Sequence, residues 1–309
     1  MRSVYVEVIE SCNLRCVFCS RGDRKGVHST KKIKKLLKKY KGDGYKKAIL
    51  TGGEPLLNED LEEIIAYAFS IGFDVAIQTN GTLLTKEKAR AFKKAGLDQI
   101  IFSIHSHINE MEDELMNGKG VLEKQIEGLK IAHDAGLFTP VTTLILKQNY
   151  KILQDFFKFM IDEHPYVFHF TLNFVDPIGR SEKNASVVPK FSEIELHLAR
   201  VLLTLKKANK TFRVERVPIC YMLEFAEYST ELRRMWTKEP AAVHRDKESI
   251  SYTDKYFEVE YVRGEACKAC WINHICPGID IHYAAIHGTD EVYPVFIEPE
   301  KILRDAGED

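Results

Sequence analysis

Three thiols stand within eight residues, Cys12-Asn13-Leu14-Arg15-Cys16-Val17-Phe18-Cys19, directly after a short apolar stretch over residues 4–9. Cysteines at spacings of four and three residues can bring three thiolates to one metal centre. A structural zinc site takes four ligands, usually from paired C-x-x-C knuckles, and no fourth partner stands near Cys12. An iron–sulfur cube held by three thiolates keeps one iron open for a ligand that is not protein. Thiolates select either metal, so ligand type alone does not decide between them. The other four of the seven cysteines are Cys220, Cys267, Cys270 and Cys276. Four ligands close a site where three leave a position free. Cys267-Lys-Ala-Cys270 followed by Cys276-Pro277-Gly278 reads as a metal knuckle, iron–sulfur or zinc. Cys220 is grouped with it because it leads the set and leaves no thiol over.

The elements that must hold these thiols alternate. Strand-like stretches at 4–9, 47–50, 73–78, 98–104, 139–146 and 166–174 are separated by helical ones, among them 31–41, 84–95, 121–135 and 151–162. Six strands in such alternation predict parallel β/α units wrapped by right-handed crossovers. Polar and glycine residues follow each strand: the cysteine loop, Gly52-Gly53-Glu54-Pro55, Thr79-Asn80-Gly81, Ser103 with His105 and His107, Gln148-Asn149, and Asp176 to Arg180. Barrels of this kind place their sites at that end. Glycines at 52 and 53 let backbone approach a ligand closely, and Glu54 offers a carboxylate to a cationic group. His105 and His107, two apart, point the same way if their segment stays extended, as acid/base groups or substrate contacts. No G-x-S-x-G, HExxH or GxxxxGK[ST] motif occurs.

The C-x-x-x-C-x-x-C loop followed by GGEP, each at a strand end, with Phe18 before the third cysteine, resembles the radical S-adenosylmethionine (SAM) enzymes. The resemblance implies an α/β fold, a partial (β/α)6 barrel over residues 1–185. It implies that Cys12, Cys16 and Cys19 hold a [4Fe–4S] cluster to which SAM binds. Gly52, Gly53 and Glu54 would hold the methionine amino group, Ser103 the carboxylate or ribose, and Phe18 would lie near the adenine. Asn80 and Asn149 are further lining residues, with turn formation as their competing role. Residues 186–309, with the second cysteine group, resemble the C-terminal extension called SPASM or, in its short form, twitch. One auxiliary [4Fe–4S] cluster on Cys220, Cys267, Cys270 and Cys276 is what that likeness implies, with a zinc knuckle as the alternative. The implied activity is reductive cleavage of SAM to a 5′-deoxyadenosyl radical and oxidative modification of a peptide, protein side chain or small metabolite. A reducing partner such as flavodoxin or ferredoxin is implied with it.

Composition is that of an ordinary soluble domain, 45% hydrophobic and 29% charged. The net charge of −1 gives no overall attraction to nucleic acid or membrane. The lysine-rich stretch 31–41 carries Ile33, Leu36, Leu37 and Tyr40 at helical spacing and reads as a solvated outer helix. A first strand at residue 4 leaves no room for a signal peptide, so a cytoplasmic protein with reduced thiols is expected. Residues 221–266 form a long, mostly polar insertion suited to a lid or a cover for the barrel mouth. The rival reading is a non-catalytic iron–sulfur or zinc protein, an electron carrier or scaffold. Polar residues at every strand end count against it.

Overall fold

The computed structural model describes residues 2–237, 241–245, 248–252 and 260–307. Its first strand, β1 (Ser3–Ile9), shows the plan of the whole sheet. Val4, Val6 and Val8 are fully buried on one side, while Ser3 and Tyr5 on the other border a large cavity. Successive side chains of a strand face opposite ways, so one face packs on helices and the other is left polar for the cavity. α1 (Thr30–Gly42) buries Ile33, Leu37 and Tyr40 and turns its lysines outward, the solvated helix expected.

The division recurs in β2 (Lys47–Gly52), β3 (Asp74–Thr79), β4 (Leu97–Ser103), β5 (Val141–Ile145) and β6 (His169–Phe174). In β6, Phe170 and Leu172 are buried, whereas His169, Thr171 and Asn173 border the cavity. Crossovers run through α2 (Leu61–Ser70), α3 (Lys86–Lys94), the pair α4 (Asn109–Met116) and α5 (Val121–Asp134), and α6 (Leu153–Glu163). After β6 come the short α7 (Arg180–Lys183), the long α8 (Phe191–Lys207) and β7 (Thr211–Glu215).

The sequence pattern places six strands in the barrel and a further strand at 212–217 beyond a linker, and the structure joins that strand to the same sheet as its seventh parallel member. Strands β7 to β1 lie side by side in sequential order, all parallel. The polar stretch after β6 reads as a way out of the barrel. Instead α8 lies back against the fold, burying Phe191, Ile194, Leu198, Val201, Leu202 and Leu205. It returns the chain so that β7 pairs with β6 from His169↔Thr211 to Asn173↔Glu215. The sheet therefore continues past residue 186. Side chains from all seven strands border one cavity, so the sheet curves around it as an open barrel.

Of the 221–266 insertion, residues 238–240, 246–247 and 253–259 lie outside the described residues. The rest includes α9 (Thr230–Thr237) and the hairpin strands β8 (Ala241–Arg245) and β9 (Glu248–Tyr252). β8 pairs parallel to β1 from Ser3↔Ala241 to Val6↔His244, and β9 pairs antiparallel to β8. The insertion thus extends the sheet at its β1 edge. Beyond it, β10 (Tyr261–Val262) and β11 (Ile279–Asp280) form a short antiparallel ladder on either side of the second cysteine group. Aromatic rings join this segment to the barrel: Tyr283 stacks on Phe191 at 4.1 Å, and Tyr221 lies 5.6 Å from Phe191. Glu291 completes the joint, accepting from the Tyr283 hydroxyl and, at 3.0 Å, from the Ser192 N–H. No helix among the described residues is long and apolar enough to cross a membrane.

Candidate functional site

The cysteine loop is irregular and is held almost entirely by its neighbours' backbone. Gly53 N–H donates to Ile9 O at 2.8 Å, Glu54 N–H to Ser11 O at 2.9 Å, and Glu10 N–H to Gly26 O at 2.9 Å. A Cβ at Gly52 would stand 2.1 Å from Ile9 O, and one at Gly53 would stand 2.2 Å from Ser11 O. Only glycine permits that approach. The backbone these glycines approach is therefore the root of the cysteine loop, and both also border the cavity.

From the opposite side the β6–α7 turn clamps the same loop. Arg180 donates from its N–H to Cys19 O (2.9 Å) and from Nη1 to Cys16 O (3.1 Å). Its Nη2 reaches Gly22 O (3.0 Å) and the Asp23 carboxylate (2.6 Å). Gly179, at φ +69°, lies where a Cβ would meet Ser20 O at 2.6 Å. Val17 N–H reaches Leu115 O at the end of α4 (2.9 Å), and Asn80 Nδ2 reaches Asn13 Oδ1 (2.9 Å). Cys12, Cys16 and Cys19 all border the cavity. Burial, and then the neighbouring thiolates, push the Cys16 thiol up; Cys12 is raised by burial, with Glu54 and Cys19 adding to it. The three sulfurs border one cavity wall and sense one another's charge, but among the described residues no three such side chains are drawn together as a formed metal site.

Phe18, Ser103 and Asn80 border this cavity, as expected of lining residues. Two other candidate residues, Glu54 and Asn149, are placed off the cavity lining. Glu54 is fully buried and does not face the cavity. Its Oε1 accepts from Leu56 N–H (2.9 Å) and the Thr79 hydroxyl (2.6 Å), and its Oε2 accepts from Asn80 N–H (2.9 Å). Burial pushes its pKa up, against these donors and Lys88. The carboxylate ties the GGEP turn to the end of β3. Asn149 is likewise buried away from the cavity: Oδ1 accepts from Leu146 N–H, and Nδ2 donates to the carbonyls of Leu144 and His105. It shapes a turn.

The two histidines part company because the chain leaves the strand after Ser103. His105 borders the cavity with its ring edge-on to Phe18 at 4.7 Å. Its Nδ1 accepts from Leu144 N–H (3.0 Å), which places the proton on Nε2, and burial pushes its pKa down to about 3. It is a neutral hydrogen-bond donor, not an acid/base group. His107 lies away from the cavity, its ring 6.0 Å from that of Phe159. Behind His105, Glu112 is fully buried and accepts from His105 N–H, and burial pushes its pKa up to about 8.

The second cysteine group also converges. Burial pushes Cys220 up to about 12, with Cys276 and Cys267 adding to it, and Cys276 is raised by burial with Cys267 and Cys270 adding. Cys220 thus lies near enough to the 267–276 knuckle to sense its charge, although among the described residues no three His, Cys, Asp or Glu side chains are grouped as a formed metal site. Gly278, at φ +101°, lets β11 pass Val262 O, which a Cβ would meet at 2.3 Å. Between the two cysteine groups stands Arg216, a cavity residue in the left-handed region at φ +63°. Glu231 accepts from its N–H (3.0 Å), and its guanidinium reaches Asp176 (3.0 Å) and Asp280 (3.5 Å). Sequence reading placed Asp176 and Arg180 only at a strand end; Arg216 carried no signal, because its partners come from three separate segments.

The cavity measures about 1330 Å³ and runs from the cysteine loop down the inner face of the strands. The model of the radical SAM superfamily matches residues 6–160, the span that builds the cysteine loop, the GGEP turn and the first five strands. The chain belongs to the radical SAM superfamily. Among its relatives is the AdoMet-dependent heme synthase of Oleidesulfovibrio alaskensis, 29% identical over 198 residues, 63% of this chain and 50% of that protein. The GTP 3′,8-cyclase of Aquifex aeolicus is 35% identical over 156 residues, 48% of each chain. This chain spans about half the length of these curated relatives. Among solved structures, anSMEcpe with bound AdoMet has a TM-score of 0.67 at 14% identity, covering 100% of this chain and 96% of that one. Streptococcus suis SuiB bound to S-adenosylmethionine has a TM-score of 0.68 at 15% identity, covering 94% and 76%. At such identities the likeness is one of fold.

For this radical SAM chain two outcomes follow from the buried carboxylates. Glu54→Ala leaves buried donors at Leu56, Thr79 and Asn80 without their acceptor, and should destabilise the fold by about 3 kcal/mol or more. Denaturant titration checks this; unchanged stability would contradict the clasp. Glu112 keeps its proton in the folded chain up to about pH 8, whereas the unfolded chain releases it near 4.5. Stability from this group therefore falls as pH rises through that window, by roughly 1 kcal/mol per unit, and levels above it. Glu112→Gln should remove that slope when denaturation is compared at about pH 6 and about pH 8.

Proposed function

We propose that this protein cleaves SAM reductively and uses the product radical for oxidative C–H modification of a peptide, protein side chain or small metabolite. The observation that carries the proposal is that Cys12, Cys16 and Cys19 open on the same large cavity as the ends of seven parallel strands. An electron carrier or scaffold, the rival reading, has no use for such a chamber. Cys12, Cys16 and Cys19 would hold a [4Fe–4S] cluster with SAM, and Cys220, Cys267, Cys270 and Cys276 an auxiliary one. When bound, these groups supply electrons and a 5′-deoxyadenosyl radical that takes a hydrogen atom from carbon.

The chain's own residues do the rest. Gly52 and Gly53 present backbone to the SAM site, Asn80 and Ser103 offer polar groups at the strand ends, and Phe18 supplies an apolar face. His105, with Nδ1 occupied by Leu144 N–H, keeps an Nε2–H to offer toward the cavity. Arg180 keeps a fixed positive charge beside the thiolates and holds the carbonyls of Cys16 and Cys19 in place. Residues 1–185 form most of the barrel in this reading, and 186–309 complete it with β7 and add a twitch-like segment. Flavodoxin or ferredoxin is the proposed electron source. The similar proteins, a heme synthase, a GTP cyclase and SuiB with its precursor peptide, span metabolite and peptide substrates.

The test is anaerobic reconstitution, then dithionite and SAM. The expected result is 5′-deoxyadenosine from a protein holding two clusters, about eight irons per chain. Iron bound without any 5′-deoxyadenosine would favour the electron carrier, and four irons with one zinc would remove the auxiliary cluster.

A further inference from the structure

Past the end of β4 the chain is fixed by one buried side chain after another. Gln125 Nε2 donates to Ser103 O (2.9 Å), and the Thr143 hydroxyl donates to Ile104 O (2.8 Å). His105 is held from three sides. Its N–H donates to Glu112 on α4 (3.1 Å), its O accepts from Asn149 Nδ2 (2.9 Å), and its ring Nδ1 accepts from Leu144 N–H on β5 (3.0 Å). Glu112, Gln125, Thr143 and Asn149 are all fully buried. The Glu112 carboxyl also meets the Gln125 side chain, so two of the supports brace one another.

One polar atom of His105 is left out of this network. Among the described residues its Nε2 has no hydrogen-bond partner, and the residue borders the cavity. Unlike the unpaired Nε2 of His164, that of His105 is not enclosed by protein, although the residue as a whole is only 2% exposed. With Nδ1 occupied as an acceptor, the ring proton lies on Nε2. An N–H in a wall of low dielectric costs free energy until it finds an acceptor. Its place is the cysteine-loop end of the cavity. The ring stands edge-on to Phe18 at 4.7 Å. The helix that carries Glu112 meets the loop as well, at Val17 N–H to Leu115 O (2.9 Å) and Cys16 Sγ to Met116 Sδ (3.4 Å).

We infer that His105 is a specificity-determining contact for SAM, its Nε2–H donating to an uncharged acceptor in the nucleoside half, a ring nitrogen or a ribose oxygen. The inference rests on reading the loop end of the cavity as the SAM site. The nucleoside half is favoured because the donor is neutral and stands against an apolar ring. The ammonium and carboxylate of the methionine half would lose solvation there that one neutral donor does not return. Glu112, Asn149 and Leu144 act through His105 as positioning groups, holding its ring in one tautomer and one orientation.

The experiment is calorimetric titration of the oxidised, cluster-reconstituted full chain with SAM. His105→Asn keeps an acceptor for Leu144 N–H but removes the donor at the Nε2 position, and should weaken SAM binding about tenfold. His107→Asn, away from the cavity, should change nothing. SAM analogues that each lack one adenine ring nitrogen or one ribose hydroxyl locate the acceptor. The analogue that binds the unsubstituted protein and His105→Asn alike has lost the partner of the Nε2–H. Equal SAM affinity in the unsubstituted protein and His105→Asn, or a difference that every analogue preserves, would overturn the inference. Should His105→Asn not fold, His105→Phe, which fills the same space without a donor, takes its place. Electron paramagnetic resonance of the reduced, unsubstituted protein separates the two readings. A signal that SAM leaves unchanged removes the proposed function and this inference with it. A signal that shifts, with His105→Asn binding SAM as tightly as the unsubstituted protein, removes this inference alone.

Discussion

The structure depends on a backbone clasp around a loop that cannot hold its own shape. Residues 12–19 have no regular secondary structure, and a loop bearing three thiols gains little from packing. Its position comes from hydrogen bonds at both flanks: Ile9 and Ser11 accept from the GGEP turn, and Cys16 and Cys19 accept from Arg180. Both flanks require glycine, at 52, 53 and 179, because backbone stands where a Cβ would be. Loss of either flank frees the loop, whatever happens to the thiols.

The clasp explains several features that looked like separate site elements. Glu54 serves the turn that grips the loop root, and through Asn80 it also fixes β3, whose end reaches Asn13. Arg180 couples the loop to the far side of the sheet, so β1 and β6 are tied through the cysteine loop as well as through the strands between them. Arg216 makes the corresponding link to the C-terminal segment by holding Asp176 and Asp280 together. Its left-handed backbone costs of order 1 kcal/mol and is retained because three carboxylates converge on it. Phe191, Tyr283 and Glu291 secure the same junction from outside the barrel.

Much of this was legible in the sequence, and what was not has physical causes. Spacing gave the three thiols, and strand-helix alternation gave a parallel sheet with its polar ends together. The helix at 191–208 and the strand at 212–217 were legible, but the strand's place beside β6 was not, because the polar stretch before them reads as an exit and register is set by tertiary pairing. Glu54 was expected at a ligand on residue type and strand-end position, and Asn149 as a lining residue or a turn former. A strand end offers a carboxylate or amide both a ligand and its own orphaned backbone N–H groups, and here the backbone took both. His105 and His107 were expected to face alike, which holds only if the strand continues; it ends at Ser103.

The central claim is that Cys12, Cys16 and Cys19 form a centre at the cavity wall that takes SAM directly. The most direct test is low-temperature electron paramagnetic resonance of the dithionite-reduced cluster, in a soluble variant with Cys267 and Cys270 replaced by Ala so that only the first site contributes. The account predicts a [4Fe–4S]⁺ signal whose g-values shift when SAM is added. A signal that SAM leaves unchanged would contradict it.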